Sequence, residues 1–178
     1  MARPVRLDFP GAKHHVMNRG LRKGAVFIDD WCCEEFICLL PEAVERHGIV
    51  VYGYALMPNH YHLLLGSPHG NLSLAMAFIS SSFSRRLNDR YHWDGSVFRG
   101  RYHNRVVTEP EHWHHLLAYI HLNPVKANLV MKLEQSRWTS HGAYSGELCC
   151  PEWLHTEALL SELGGPHGYR QYIITGQA

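Results

Sequence analysis

A predicted β-hairpin near the middle of the chain constrains the fold more than any other feature of the sequence. Residues 49–57 and 60–65 are two runs rich in β-branched, aromatic and aliphatic side chains, and only Pro58 and Asn59 separate them. Two such runs joined by turn-forming residues pair as antiparallel neighbours. The chain therefore contains an antiparallel sheet, to which the flanking segments add strands or helices.

The segments around this hairpin predict a regular alternation of strands and helices. In chain order they are a strand over 13–18, a helix from Asp29 or Asp30 to Gly48, a long helix from Asn71 or Ser73, a strand over 103–107 and a helix over 109–123. Pro41 is expected to kink or divide the first helix, because proline removes a backbone donor and clashes with the preceding turn. Thr108 and Glu111 predict a capping box for the last helix, and Pro124 is expected to end it.

The order β-α-β-β-α-β-α predicts an α+β fold. It is typical of a ferredoxin-like or RRM-like antiparallel sheet of about four to five strands, with the helices packed against one face. We assign this domain to residues 1–144. Residues 145–178 then form a C-terminal extension, with a short helix within 151–163 and a flexible tail after residues 164–166.

Charge is unevenly distributed along the chain, although the net charge is only +1. Residues 1–24 hold six basic residues against one acid, a net +5, and residues 85–105 hold six arginines against two acids, a net +4. Residues 29–45 and 147–162 hold only acids among their charged side chains. The two basic stretches are candidates for contact with phosphate, with a solvated surface as the alternative.

The sequence disfavours four classes of protein: membrane-spanning, secreted, zinc-binding or redox, and nucleotide-binding. Its apolar stretches fall far short of the ~20 residues that a membrane-spanning helix needs, and no apolar segment follows the basic N-terminus as in a secretory signal. Its five cysteines lack the two-residue spacing of zinc or redox motifs, which favours a reducing cytoplasm. The chain also lacks the Gly-Lys-Ser/Thr loop that binds nucleotide phosphates.

A His-x-His pattern in the second strand of the hairpin is the first candidate for chemistry. Side chains alternate across a strand, so His60 and His62 leave one face while Tyr61 and Leu63 leave the other. Two imidazoles on one side of a sheet can share a divalent metal ion. A pair of exposed or core histidines without a ligand is the alternative.

The predicted helix over 109–123 offers a second group of polar side chains. Tyr119 and Asn123 are four residues apart, so they point into the same space beside an apolar stripe. If the helix crosses the sheet near the two histidines, Asn123 becomes a third uncharged metal ligand and the Tyr119 phenol lies within reach of the metal. A surface tyrosine and a helix-terminal asparagine are the alternative.

Two segments resemble the REP-associated tyrosine transposases, which are HUH-type single-tyrosine enzymes. They are Leu-Met-Pro-Asn-His-Tyr-His-Leu-Leu-Leu at 56–65 and Tyr-Ile-His-Leu-Asn-Pro-Val-Lys-Ala-Asn-Leu-Val at 119–130. Shorter matches follow in the family's order: His-His-Val-Met-Asn-Arg-Gly at 14–20, Val-Phe-Arg-Gly-Arg-Tyr at 97–102 and Arg-Trp-Thr-Ser at 137–140. The resemblance covers about residues 11–144 and identifies 1–144 as the HUH domain. The chain departs from the family's pattern at Lys126 and Asn128, where Arg and Gly are usual. Asparagine still tolerates the left-handed turn that a glycine would supply.

The resemblance implies a transposase that cleaves and rejoins single-stranded DNA at hairpin-forming, palindromic repeats. Tyr119 would attack a phosphodiester to give a 5′-phosphotyrosine, with Mg²⁺ or Mn²⁺ held by His60, His62 and Asn123. His115 is a candidate helper for proton transfer. The family also implies a cytoplasmic, nucleoid-associated enzyme, monomeric or dimeric. No nucleotide cofactor is needed, because the phosphotyrosine conserves the energy of the broken bond.

Basic and aromatic residues supply candidates for holding the DNA. The candidates for contact with its backbone are Arg19, Arg22, Lys23, Arg85, Arg86, Arg99, Arg101 and Arg105. The candidates for stacking on bases are Tyr52, Tyr54, Trp93 and Tyr102. Two other functions remain open at this point: a water-using metal phosphodiesterase in which Tyr119 is only structural, and a catalytically silent RRM-like DNA-binding protein.

Overall fold

A computed structural model describes residues 7–107 and 110–175, without the side chains of 110–112. The elements are β1 (Ala12–Arg19), α1 (Asp30–His47), β2 (Val50–Met57), β3 (His60–Ser67), α2 (Leu72–Tyr91), β4 (His103–Val106), α3 (Pro110–Lys126), α4 (His141–Ser145), α5 (Glu157–Leu163) and α6 (Gly165–Thr175). Short 3-10 turns lie at Leu21–Lys23 and Leu133–Gln135. None of the helices in these ranges is both long and apolar enough to cross a membrane. The capping box predicted at Thr108 and Glu111 lies outside the described residues.

The four strands form one antiparallel sheet in the order β2-β3-β1-β4. The predicted hairpin is present, and Pro58 and Asn59 form its turn. β1 lies between β3 and β4, with its last residue Arg19 opposite His60 at the start of β3. This order, with a helix between β1 and β2 and another between β3 and β4, confirms the predicted ferredoxin-like α+β fold.

Helices cover both faces of the sheet, so the expectation of helices on one face is wrong. Tyr61, Leu63 and Leu65 of β3 pack in a core with the first two helices, α1 and α2. Leu64 points the other way, into a second core with Leu117 of α3. The reason is visible in β3, which is an unbroken apolar run after its histidines and is buried on both faces.

Two prolines lie inside helices that continue through them. α1 runs undivided past Pro41, because the buried Leu40 and Ala43 hold it against the core on both sides of the proline. Pro124 does not end α3, which continues to Lys126. There the Asn123 side chain donates to the backbone carbonyl of Ile120 (3.4 Å), which the proline leaves without its usual amide donor.

The C-terminal extension contains more structure than the sequence predicts. Residues expected to be a flexible tail form α6, in which Tyr169 and Ile173 are one helical turn apart and buried in the second core. The helix predicted within 151–163 begins only at Glu157. The preceding segment instead runs along β2, where the His155 amide donates to the Val51 carbonyl at 2.8 Å.

Candidate active site

The first pair of candidate residues lies where β3 begins. The ring centroids of His60 and His62 are 5.0 Å apart and the ring planes are nearly perpendicular, at 80°. His60 is half-buried, whereas His62 is only 2% exposed. Both rings occupy the face of the sheet that α3 covers, as the alternation of side chains along β3 predicts.

Tyr119 of α3 lies against the second of these histidines. Its ring and that of His62 meet edge to face, with the centroids 5.7 Å apart. Its side chain is 41% exposed, so an incoming substrate can reach it. The ammonium of Lys126 lies 5.6 Å from the centre of the same ring. α3 therefore brings Tyr119 next to His62 at the surface of the sheet.

Asn123 follows Tyr119 by one helical turn. Its amide nitrogen Nδ2 donates to the Tyr119 backbone carbonyl at 2.7 Å. Because both hydrogens belong to that nitrogen, the amide oxygen Oδ1 is the atom left for a ligand on the exposed side of α3. The hydrogen bond to the helix backbone thus leaves the oxygen of the Asn123 amide, rather than its nitrogen, to act at the site.

The structure adds a third histidine that the sequence did not single out. His15 of β1 has its Nε2 atom 2.9 Å from His62 Nδ1, and the two ring planes are within 18° of each other. It also faces the edge of Tyr119, at 6.2 Å between centroids. The available signal was the alternation along β1, which puts His15 on the same face as His62 once β1 and β3 are known to be neighbours.

All three imidazoles are uncharged at neutral pH. Burial, together with the nearby His15, His60 and Arg19, lowers the pKa of His62 to about 3. Burial also lowers the pKa of His15 to about 4, with a contribution from Arg105. The pKa of His60 is lowered by burial and by Arg19. Uncharged imidazole is the form that binds a metal ion.

The chemistry of the candidate donor atoms suits a divalent metal ion when the Asn123 amide oxygen is counted with the two imidazoles. Within residues 7–107 and 110–175, no group of three or more His, Cys, Asp or Glu side chains is arranged to hold a metal. A site formed by His60, His62 and Asn123 instead offers two imidazole nitrogens and one neutral oxygen. This set leaves room for water and phosphate oxygens, which Mg²⁺ and Mn²⁺ prefer.

Two basic loops, 19–23 and 97–101, lie at the same end of the sheet as His60. The backbone amide of Arg99 donates to the Arg19 carbonyl at 2.9 Å, so the loops lie side by side. They carry five of the candidate DNA-binding residues: Arg19, Arg22, Lys23, Arg99 and Arg101. Arg19 lies opposite His60 in the sheet, whereas Arg101 lines a cleft beside α2.

Residues 9–123 of the sequence match the family described as IS200-like transposases. The chain belongs to this family. A Haemophilus influenzae protein described as a REP-associated tyrosine transposase is 21% identical to this transposase over 131 residues, which cover 67% of this chain and 74% of that protein. This relative bears out the resemblance found in the sequence.

The fold of this transposase is also found among solved structures. A REP-associated tyrosine transposase bound to a REP hairpin is similar with a TM-score of 0.70 and 14% identity, over 85% of this chain and 89% of that one. The tRNA(His) guanylyltransferase of Saccharomyces cerevisiae reaches a TM-score of 0.50 at 9% identity, over 96% of this chain and 74% of that one. At these identities the likeness concerns the fold alone.

Two of the candidate DNA-binding arginines lie on α2 of the transposase, apart from the basic loops. Arg86 binds Glu35 at 2.8 Å and Glu42 at 2.9 Å, both on α1. Its charge is therefore neutralised within the protein, and we assign it a structural role in joining the two helices. Arg85 is exposed on α2.

Three of the four aromatic residues considered for base stacking are packing residues. Tyr52 meets Trp113 of α3 edge to face at 4.7 Å, and Tyr54 stacks on Trp153 at 6.1 Å. Tyr102 is buried, at 7% exposure. Only Trp93 presents a substantial surface, at 40% exposure. A sequence window does not distinguish an exposed aromatic residue from one that a distant helix covers.

His115 lies one helical turn before Tyr119 on α3. Its Nδ1 atom is 2.9 Å from the Tyr172 hydroxyl of α6, and the two rings lie 5.8 Å apart. The contact ties the transposase's C-terminal helix to the helix that carries the tyrosine. Any proton transfer by His115 would use its other nitrogen, Nε2.

Proposed function

We propose that this transposase cleaves and rejoins single-stranded DNA at hairpin-forming repeats, with Tyr119 as the nucleophile. The observation that carries the proposal is the position of the Tyr119 ring, accessible and 5.7 Å from the buried His62. The substrate class is supported by the REP hairpin in the similar structure. The family itself supports an enzyme of DNA transposition.

In the proposed reaction the Tyr119 oxygen attacks a DNA phosphorus atom. A new bond forms between that oxygen and phosphorus, the bond from phosphorus to the 3′ oxygen breaks, and the 3′ oxygen leaves with a proton. The products are a 5′-phosphotyrosine and a free 3′-hydroxyl end. The same hydroxyl or another one can reverse the step, so rejoining needs no nucleotide.

The phenol must lose its proton for this attack, and two side chains near it are suited to help. The Lys126 ammonium near the ring favours the phenolate electrostatically. His115, one turn away on α3, is the candidate for proton transfer. Substitution of each residue in turn tests these two roles separately.

We propose that His60, His62 and Asn123 hold Mg²⁺ or Mn²⁺. When bound, the metal would polarise the scissile phosphate and stabilise charge on the leaving oxygen. All three ligands are uncharged, so they leave the positive charge of the ion undiminished. The protein's part is to hold two imidazoles and one amide oxygen in fixed orientations beneath the tyrosine.

The DNA backbone would be held by the basic loops, 19–23 and 97–101, with Arg85 and Arg105 as outlying contacts. The loops lie at the end of the sheet where β3 begins, so a bound strand would lead from them to Tyr119. An unpaired strand is required, because the phosphodiester must bend into the space between α3 and the sheet.

The deciding experiment is to incubate the protein with a single-stranded DNA hairpin and Mn²⁺ and to separate the products on a denaturing gel. We expect a covalent protein–DNA adduct on the 5′ side of the cut, absent in Tyr119→Phe. The matched control is Tyr91→Phe, whose hydroxyl binds Asp29 on the opposite side of the sheet. Cleavage by Tyr119→Phe at the wild-type rate would establish a water-using phosphodiesterase instead. Hairpin binding without cleavage by the wild type would indicate a silent DNA-binding protein.

A further inference from the structure

In each histidine of the proposed metal pair, the ring atom Nδ1 forms a hydrogen bond with a residue outside the pair. The Nδ1 atom of His60 lies 2.7 Å from Oδ1 of Asn59. The Nδ1 atom of His62 lies 2.9 Å from Nε2 of His15. In both rings this leaves Nε2 as the nitrogen available to the site. A metal ion needs a lone pair on that atom, so the location of each ring proton decides whether the ring can bind.

The proton of His60 can be assigned from the orientation of Asn59. The Asn59 amide nitrogen Nδ2 donates to the Lys23 carbonyl at 3.2 Å, which turns Oδ1 toward the ring. An amide oxygen only accepts hydrogen bonds, so His60 Nδ1 must be the donor. The ring proton is then on Nδ1, and Nε2 carries the lone pair.

The contact between His62 and His15 leaves two arrangements, of which one suits a metal. The rings are nearly coplanar, at 18°, so the two nitrogens face each other along one hydrogen bond with one proton between them. With His62 as the donor, its Nε2 is free to bind. With His15 as the donor, the proton of His62 is on Nε2, and the atom is lost as a ligand.

We propose that Asn59 and His15 are positioning residues that hold His60 and His62 in the Nδ1-protonated tautomer. The inference rests on the proposed function in one respect, since the metal site selects His62 as the donor to His15. Asn59 and His15 do not touch the metal in this arrangement. Asn59 also joins the ligand pair to the first basic loop, because the carbonyl that it binds belongs to Lys23.

The first test reads the tautomers directly in the full, metal-free chain. Histidine is labelled with ¹⁵N, and two-bond proton–nitrogen correlations identify which ring nitrogen carries the proton. We expect Nδ1 to be protonated and Nε2 unprotonated in both His60 and His62. A spectrum with the proton on Nε2 of either ring overturns the proposal for that ring's partner.

The second test compares variants that keep or remove the accepting atom. Asn59→Ala and His15→Leu remove it, and we expect Mn²⁺ affinity, measured by calorimetry, to fall by about 10- to 100-fold in each. Asn59→Asp and His15→Gln keep an accepting oxygen, and we expect them to retain the tautomer of the ring they face and to lose less than 10-fold. His103→Gln, at an exposed position on β4, is the matched control and should leave both readouts unchanged.

The results distinguish this inference from the proposed function. If Asn59→Ala and His15→Leu leave the tautomers and the Mn²⁺ affinity of the folded protein unchanged, the positioning role is overturned. If the wild type binds no Mn²⁺ but its Nδ1-protonated tautomers are lost in these two variants, the proposed metal chemistry fails while the positioning role stands. Circular dichroism of each variant verifies that it is folded.

Discussion

Gly53 of β2 lies directly beneath Leu117 of α3, and a Cβ atom added to it would be 2.7 Å from the Leu117 Cδ1 atom. The missing side chain lets the helix that carries Tyr119 approach the sheet closely. This distance is shorter than any ordinary carbon–carbon contact, so a larger residue must displace the Leu117 side chain, which is buried in the second core. The packing beneath the helix that carries the proposed nucleophile thus depends on a glycine that has no part in the chemistry.

Substitution of Gly53→Ala is expected to destabilise the protein and to slow cleavage. Overpacking of this kind costs about 1–3 kcal/mol of the free energy of unfolding, which urea denaturation measures. Repacking of Leu117 should lower the cleavage rate as well, because this residue lies two positions before Tyr119 on the same helix. Gly100→Ala is the stability control, since a Cβ there meets no atom within 4 Å. Equal stability of both variants would contradict this account of the packing.

Replacement of a proposed metal ligand should remove cleavage and leave the fold. His60 is half-buried at the start of β3, so His60→Ala creates little empty volume. We expect Mn²⁺-dependent cleavage to be lost, while binding of the hairpin is retained because the basic loops are intact. Calorimetry with Mn²⁺ and a gel-shift assay measure the two effects. Tight, stoichiometric zinc in the purified protein, with activity independent of Mn²⁺, would argue against the proposed ion.

Neutralisation of the basic loops should change the salt dependence of DNA binding. If Arg22 contacts a phosphate, Arg22→Ala lowers the slope of log affinity against log salt concentration by about 0.7 for single-stranded DNA. Arg99→Ala is expected to do the same. Arg46→Ala, on the exposed surface of α1, should leave the slope as in the wild type. Equal slopes in all these proteins would place the DNA elsewhere.

Stability should fall as the pH drops below about 6.5, in part because of His121. This ring is fully buried between the Tyr169 hydroxyl (2.7 Å) and the Ser140 hydroxyl (2.6 Å), with the His141 ring 6.1 Å away. Burial holds its pKa well below the usual value, and His141 acts in the same direction. As the pH falls, His121 therefore binds a proton in the unfolded chain but not in the folded chain. Each pH unit of this decrease lowers the free energy of unfolding by about 1.4 kcal/mol.

The variant His121→Gln isolates this contribution. The free energy of unfolding is measured by urea denaturation at several values between pH 7.5 and 5. Its slope against pH should be smaller in the variant than in the wild type, by the amount that one bound proton contributes. Other buried histidines, His62 and His15 among them, contribute the same slope to both proteins and cancel in the comparison. An unchanged slope would mean that His121 accepts a proton in the folded state.

Local sequence patterns predicted most of the fold and the core of the candidate site. The His-x-His alternation placed two imidazoles on one face, and the spacing of Tyr119 and Asn123 placed both on one side of α3. His15 was missed because its role depends on which strand lies next to β3, and this pairing joins residues far apart in the sequence. Helix α6 was missed because glycine and proline at its start favour a linker in isolation.

Helix α6 has a consequence for how many copies of the protein a cleavage event requires. It lies on α3, where Tyr169 and Ile173 enter the second core and Tyr172 binds His115. The tyrosine-bearing helix is thus enclosed by its own chain, with the sheet on one side and the C-terminal helix on another. Tyr119 and the histidine pair meet within one copy of the chain. The proposed function therefore predicts that a single copy forms the covalent adduct.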